Sequence, residues 1–330
     1  MPVIDVHTHF VDAAVMAESA PRWILSGFGT RAFEPPPAGS PRALQTARML
    51  EPALALADLD ARGVDAHLLS ASTVVAGTAW AEPEYQAELE RRVNDACAAW
   101  VASAPERFIG SFTLPLRDVA LALRELERAT GELGLRVANL PAQVDGEYLG
   151  APRFRELWEA LAAQGIVTLI HPDGIRELWF QDYGLWNSVG QPIEEARVMA
   201  SLILEGVLDR LPALELIISH GGGYLPHYFG RLDRNVTNMP ESVRNISRRP
   251  SEYLRCFHYD SCVYDASILR ALVARVGADR VLLGSDYPVG DDDHVGFVRS
   301  AGLAAEEAEA IVSVNAAALL GRGGTGGHHG

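Results

Sequence analysis

Short apolar runs rich in β-branched residues recur along the chain, and each is followed by a longer stretch with Ala, Leu, Glu and Arg at helical spacing. Val3–His7, Val64–Ala71, Phe108–Leu114, Leu135–Leu140, Ile166–His171, Glu215–His220, Cys256–Asp260 and Arg280–Asp286 read as strands. Glu84–Ala104, Leu116–Thr130, Arg153–Gln164, Pro192–Asp209 and Ala304–Leu320 read as helices between or after them. Strands that alternate with helices in this way predict a (β/α)8 TIM barrel. A doubly wound open sheet would carry a Gly-rich turn after its first strand, and a His-x-His stands in that place.

One barrel over residues 1–320 fits the length of 330 residues. The stretch at about 11–47 holds Trp23, Phe28, Phe33 and Pro35-Pro36-Pro37 and is too long for a plain connection, so it reads as a lid-like insertion over the barrel mouth. The Gly-rich tail 321–330, ending His328-His329-Gly330, reads as disordered and outside any site.

The chemistry falls at the strand ends. Side chains two apart on a strand face the same way, so His7 and His9 can reach one ion. A surface histidine pair would explain that tripeptide alone, but His171, His220 and Asp286 close the fifth, sixth and eighth predicted strands. In a barrel these ends share one face, where catalytic groups gather. Three imidazoles and a carboxylate suit a single divalent cation, Zn²⁺ first, with Mn²⁺, Fe²⁺ or Co²⁺ also compatible. We assign His7, His9, His171 and Asp286 as ligands, with Asp286 also catalytic, and keep His220 as the acid/base.

Composition narrows the chemistry further. All 28 basic residues are arginine, so mechanisms that need a lysine are excluded: Schiff-base lyases, pyridoxal phosphate enzymes, P-loop NTPases and a carboxylated lysine bridging two metals. The predicted fourth strand, Leu135–Leu140, has no lysine to offer, so the expected centre is mononuclear and needs no organic cofactor. A net charge of −15 argues against nucleic-acid partners and anionic membrane surfaces. The absence of a long apolar run and the interruption of the N-terminal one by Asp5 and His7 point to a cytoplasmic protein. Cys97, Cys256 and Cys262 are odd in number and lack C-x-x-C spacing, so they read as small hydrophobes. His227 reads as a surface or supporting residue, and Asp291-Asp292-Asp293-His294 as a solvated acidic turn.

The ordered set Asp5-Val6-His7-Thr8-His9-Phe10, Pro105-Glu106-Arg107-Phe108, Ile170-His171-Pro172, Ser219-His220-Gly221-Gly222-Gly223, Gly230-Arg231-Leu232-Asp233 and Leu283-Gly284-Ser285-Asp286-Tyr287-Pro288 spans nearly the whole chain. With it the chain resembles the amidohydrolase superfamily, in the branch of 2-amino-3-carboxymuconate-6-semialdehyde decarboxylase and the γ-resorcylate-type aromatic acid decarboxylases. The resemblance implies a distorted (β/α)8 barrel with one divalent metal on the residues matching His7, His9, His171 and Asp286, and His220 acting on a bound water or the substrate. It implies a homodimer in which Arg231 crosses to the partner's substrate carboxylate, a task that suits a guanidinium fork. Trp186 matches an active-site aromatic residue. A second carboxylate-binding arginine of that branch aligns with Ala43, so Arg42 beside it, or Arg48 nearby, takes its place.

The expected reaction is non-oxidative decarboxylation of an aromatic or unsaturated carboxylic acid, a small-molecule substrate. The same scaffold also fits a metal-dependent hydrolase or hydratase of a lactone, amide or enol acid.

Overall fold

The computed structural model describes residues 1–23 and 36–321. Strand β1 (Ile4–Phe10) is buried along its whole length and runs through both histidines rather than stopping at His7. It pairs in parallel with β2 (Ala66–Ala71), and the ladder continues through β3 (Phe108–Phe112), β4 (Val137–Leu140), β5 (Val167–Ile170), β6 (Leu216–Ile218), β7 (Phe257–Asp260) and β8 (Val281–Leu282). Beyond β8 the chain returns to β1. Val6 N donates to Leu283 O at 2.9 Å, His9 N to Tyr287 O at 2.8 Å and Tyr287 N to His7 O at 3.2 Å, which closes the barrel.

Two apolar layers hold this barrel. Ile4, Val6, Leu68, Val137, Val167, Leu169, Ile217 and Leu282 pack inside it and are joined by Ala316 and Leu319 of the last helix, Asn315–Gly321. Outside it, helices bury their apolar stripes against the strands. On the helix Pro83–Ser103 the buried positions Gln86, Leu89, Glu90, Val93, Asn94, Cys97 and Trp100 follow the 3–4 spacing of one face. Gly63, at φ +65°, ends the helix Pro52–Arg62 and turns the chain toward β2.

Several sequence expectations need correcting. The stretch at about 11–47 is not loop throughout: Ala13–Trp23 and Pro41–Leu50 are helices, the second started by Pro41 and capped by Ser40. Residues 24–35, with Phe28, Phe33 and Pro35, and residues 322–330 of the tail lie outside the described residues. The predicted helix Pro192–Asp209 is two, Gly190–Leu204 and Val207–Arg210, because Gly206 takes φ +69° between them. His294 does not belong to a solvated turn. It is buried and shares a 2.8 Å hydrogen bond with Ser261 Oγ, while Asp293 before it caps a helix. Among the described residues no helix is long and apolar enough to cross a membrane.

Candidate metal centre

A register irregularity in β1 between Asp5 and Thr8 changes which residues face inward. Ile4 and Val6 belong to the inner core, yet His7 and His9 also reach the barrel mouth, with ring centroids 5.1 Å apart. His171, directly after β5, stands 4.9 Å from His7 and 5.0 Å from His9. His220, just past β6, is 5.0 Å from His7 and 5.2 Å from His171.

Asp286 completes the group. One of its carboxylate oxygens lies 3.0 Å from His9 Nε2 and 3.4 Å from His7 Nε2, and the other is 4.0 Å from His220 Nε2. His7, His171, His220 and Asp286 each offer a donor atom within 4.8 Å of the rest. His7 Nε2 is buried and makes no hydrogen bond, an orphan that a cation would satisfy. This donor set fits one divalent ion, but it includes His220, expected as the acid/base, and does not include His9, whose Nε2 lies 3.0 Å from Asp286.

Local backbone geometry aims these groups. His220 and Asp286 both adopt left-handed conformations, φ 48° and 60°, which side chains with a Cβ rarely take. Asp5 braces the turn before Asp286, accepting from Ser285 N at 3.0 Å and from Ser285 Oγ at 2.5 Å. Gly284 is needed for close approach, since a Cβ there would lie 2.6 Å from Asp260 Cβ and 3.0 Å from His7 Cβ. At Gly223 a Cβ would lie 2.2 Å from Pro192 O, so its absence lets the helix Gly190–Leu204 press against the turn that carries His220.

Two carboxylates behind the histidines carried no assigned role in the sequence reading. Asp260 Oδ2 is 2.6 Å from His7 Nδ1, and Oδ1 accepts from Gly221 N at 3.0 Å and Cys262 N at 3.1 Å. Glu195 Oε1 is 2.5 Å from His220 Nδ1 and accepts from Ser219 Oγ at 2.9 Å. Asp260 ends β7, so the strand-end rule that picked out the histidines also reaches it. Glu195 carries no such signal: it is one of two adjacent glutamates in an ordinary helical stretch.

Charge follows burial and partners. Burial pushes the Asp286 carboxyl up, but His7, His9 and His220 outweigh it and hold it at about 2. Burial lowers His220, yet the Glu195 charge and hydrogen bond carry it to about 10, so its imidazole holds a proton near neutrality. His171 is driven well down by burial and the neighbouring imidazoles. His7, bonded to Asp260 through Nδ1, leaves Nε2 free for the centre.

The remaining predicted residues lie elsewhere. Trp186, half-buried on the short helix Leu185–Ser188, packs on Gly174 in the turn after His171. Arg42 is exposed on the helix Pro41–Leu50. Arg48 pairs with Asp58 at 2.6 Å. Arg231 is exposed and, with His227, Arg234 and Arg275, lines a surface cleft of about 680 Å³ whose walls include none of the five barrel-mouth residues.

Comparison with known proteins places this arrangement. The 2-amino-3-carboxymuconate-6-semialdehyde decarboxylase of Dictyostelium discoideum is 33% identical over 240 residues, 72% of this chain and 67% of that one. The crystal structure of 5-carboxyvanillate decarboxylase from Sphingomonas paucimobilis superposes with a TM-score of 0.84 at 27% identity, covering 96% of this chain and 98% of that one. A dihydroxybenzoic acid decarboxylase from Polaromonas, solved with manganese and 2-nitroresorcinol, gives a TM-score of 0.82 at 25% identity over 97% of both chains. The amidohydrolase family model matches residues 4–322, the span that carries every strand and each barrel-mouth residue described above, so the chain belongs to the amidohydrolase family.

Proposed function

We propose that this protein is a metal-dependent, non-oxidative decarboxylase of an aromatic or unsaturated carboxylic acid. The observation that carries the reading is the barrel-mouth group of His7, His171, His220 and Asp286, with His220 backed by the buried Glu195. Relatives named as decarboxylases of such acids support it.

His7, His9, His171 and Asp286 would hold one divalent cation. When bound, such an ion supplies Lewis-acid polarisation and orients the substrate carboxylate with a neighbouring oxygen. Imidazole-rich ligation favours zinc, while the manganese of the Polaromonas relative supports that ion too.

Breaking the carbon–carbon bond leaves an electron pair on the ring or diene carbon, and protonating that carbon first avoids a free carbanion. His220 suits this step: Glu195 takes its Nδ1–H, and Nε2 is directed toward Asp286 and the open mouth. Its Nε2 proton passes to the carbon. The bond to the carboxylate then breaks, its electrons restore conjugation, CO₂ leaves, and solvent returns a proton to His220. Asp286, charged across the working range, keeps the imidazolium in place.

Arg231, Arg42 and Trp186 form the proposed substrate contacts. Arg231, exposed and apart from the barrel-mouth residues, is proposed to serve the partner's substrate in a homodimer. The helices Ala13–Trp23 and Pro41–Leu50 are the described parts of the proposed lid-like insertion at about 11–47. The three unpaired cysteines support a cytoplasmic location.

The test loads metal-stripped protein with zinc or manganese and screens aromatic and muconate acids for CO₂. Release that depends on metal and disappears in His220→Ala is expected. Incorporation of ¹⁸O from water into a product without CO₂ would replace this reading with hydrolysis.

A further inference from the structure

Asp286 holds φ 60°, a backbone conformation that persists only where its neighbours over-determine it. Asp5 fixes the residue before it, through Ser285. The residue after it is Tyr287, whose main chain is locked onto β1 by donating to His7 O and accepting from His9 N. Its side chain is held at ring and tip. The ring, 1% exposed, lies 4.7 Å from His67 and has the Arg62 guanidinium 4.8 Å from its centroid. The hydroxyl donates to Asp58 Oδ2 at 2.8 Å.

Asp58 has a second partner. It stands on the helix Pro52–Arg62, and Arg48 of the helix Pro41–Leu50 reaches it with two nitrogens. Arg48 Nε lies 2.6 Å from Oδ2 and Nη2 3.3 Å from Oδ1. A guanidinium on both oxygens of a carboxylate is a geometrically defined ion pair, and here the two side chains are only 23% and 20% exposed.

This pair matters to the helix Pro41–Leu50 because little else holds that helix. None of its ten residues is buried. Met49 and Leu50 touch the core with part of their surface, and Met49 O accepts from Val11 N at 2.9 Å, just past β1. An element with so little apolar burial takes its position from its few directed bonds. Arg48 is engaged by Asp58, which leaves Arg42 as the candidate on this helix for a substrate carboxylate.

We propose that Arg48, Asp58 and Tyr287 are positioning residues that form one strut, coupling the helix Pro41–Leu50 to the turn that carries Asp286. Arg48 holds Asp58, Asp58 holds the Tyr287 hydroxyl, and Tyr287 sets the strained backbone from which the Asp286 carboxylate is aimed. Fixing that carboxylate at the centre orders the helix, and loosening the helix loosens the carboxylate. The two effects are one coupling read from its two ends. The inference rests on the assignment of Asp286 as a metal ligand.

The test uses the full chain, stripped of metal and reloaded with Zn²⁺. Zn²⁺ affinity is read by chelator competition, and amide exchange of residues 41–50 by mass spectrometry. Tyr287→Phe, which removes only the hydroxyl, should weaken Zn²⁺ binding by about 10-fold, the low end for a group behind a metal ligand. Arg48→Met should weaken it by about threefold. Added to Tyr287→Phe, it should cost less than about twofold more, because its effect passes through the hydroxyl that this variant lacks. Asp58→Asn keeps an acceptor for the hydroxyl but loses the charge, so it should match Arg48→Met. It replaces Tyr287→Phe in the double variant, with the same non-additivity expected, if circular dichroism shows Tyr287→Phe unfolded. In wild type Zn²⁺ should slow exchange across 41–50 by about threefold or more, and the slowing should vanish in Tyr287→Phe. A clamp that only stabilised the fold would change exchange alike with and without Zn²⁺.

Wild-type Zn²⁺ affinity in Arg48→Met, additive losses in the double variant, or exchange at 41–50 that ignores Zn²⁺ would overturn the strut. Asp286→Ala, measured alongside, keeps the two readings apart. Zn²⁺ retained there removes the ligand assignment, whereas Zn²⁺ lost there but unchanged in Arg48→Met removes the strut alone. Neither readout needs turnover, so a protein that releases no CO₂ from any acid is tested in the same way.

Discussion

His7 and Asp260 stand 253 positions apart in the chain, yet His7 Nδ1 lies 2.6 Å from Asp260 Oδ2 with both side chains out of contact with solvent. The carboxylate fixes the ring so that Nε2 faces the barrel mouth, and Asp260 is itself pinned by the amides of Gly221 and Cys262. One residue thereby ties β1, β7 and the His220 turn together.

Removing that tie should loosen the metal before it unfolds the barrel. Asp260→Asn is expected to weaken divalent-metal affinity by about 10–100-fold, the usual cost of losing a hydrogen-bond partner behind a ligand histidine. Chelator competition against Zn²⁺ or Mn²⁺ reads it. Affinity equal to wild type would show that Asp260 does not orient His7.

Glu195 does the same for His220, on the proton-transfer side. Glu195→Gln keeps the shape but removes the charge that holds the imidazole protonated. We expect kcat to fall by about 10²–10⁴-fold with metal content unchanged. Because His220 then titrates lower, activity should also be lost at lower pH on the alkaline side. A fall in KM-dependent binding alone, with kcat preserved, would contradict the role.

Acid should destabilise the fold through His67. Burial, with Arg62 and Arg107 nearby, pushes this imidazole down from 6.5 to about 3. The unfolded chain therefore takes up a proton below about pH 6.5 that the native chain refuses until about pH 3. Stability present above pH 6.5 is lost as pH falls through that window, by a few kcal/mol, or about 1.4 per pH unit at most. His67→Phe, which retains a ring against Tyr287, should flatten the urea midpoint between pH 7 and pH 4. Equal acid sensitivity in both proteins would assign the effect to other groups.

Arg231 gives a test of assembly. Arg231→Ala should lower kcat/KM by about 100-fold, the scale expected for a charge pair with a substrate carboxylate, without loss of metal. If the arginine serves the partner's site, mixing this variant with Asp286→Ala after mild dissociation should restore activity that neither has alone. Two inactive parents that stay inactive when mixed, while forming hybrids by mass spectrometry, would place Arg231 in its own subunit's chemistry or outside the site.

Much of the fold was legible in the sequence because its cause is local. A buried parallel strand needs a short β-branched run, a covering helix needs apolar positions 3–4 apart, and both patterns can be read without knowing what they pack against. Residues such as His171 and Asp286 were legible for the same reason: each sits at the end of such a run, and barrel topology sends those ends to one face. The helices in the stretch at about 11–47 were not legible because Pro and Gly obscured them, although Pro41 starts a helix rather than breaking one.

Tertiary structure alone decided the partners. Nothing near Glu195 marks it off from Glu194, yet one bonds His220 and the other Tyr148, because the helix presents them in different directions. The β1 irregularity begins at Asp5, where that side chain meets Ser285 from the far end of the chain. A strand or a helix is specified by neighbours in sequence; a carboxylate behind a histidine is specified by which elements the closed barrel brings within about 3 Å of each other.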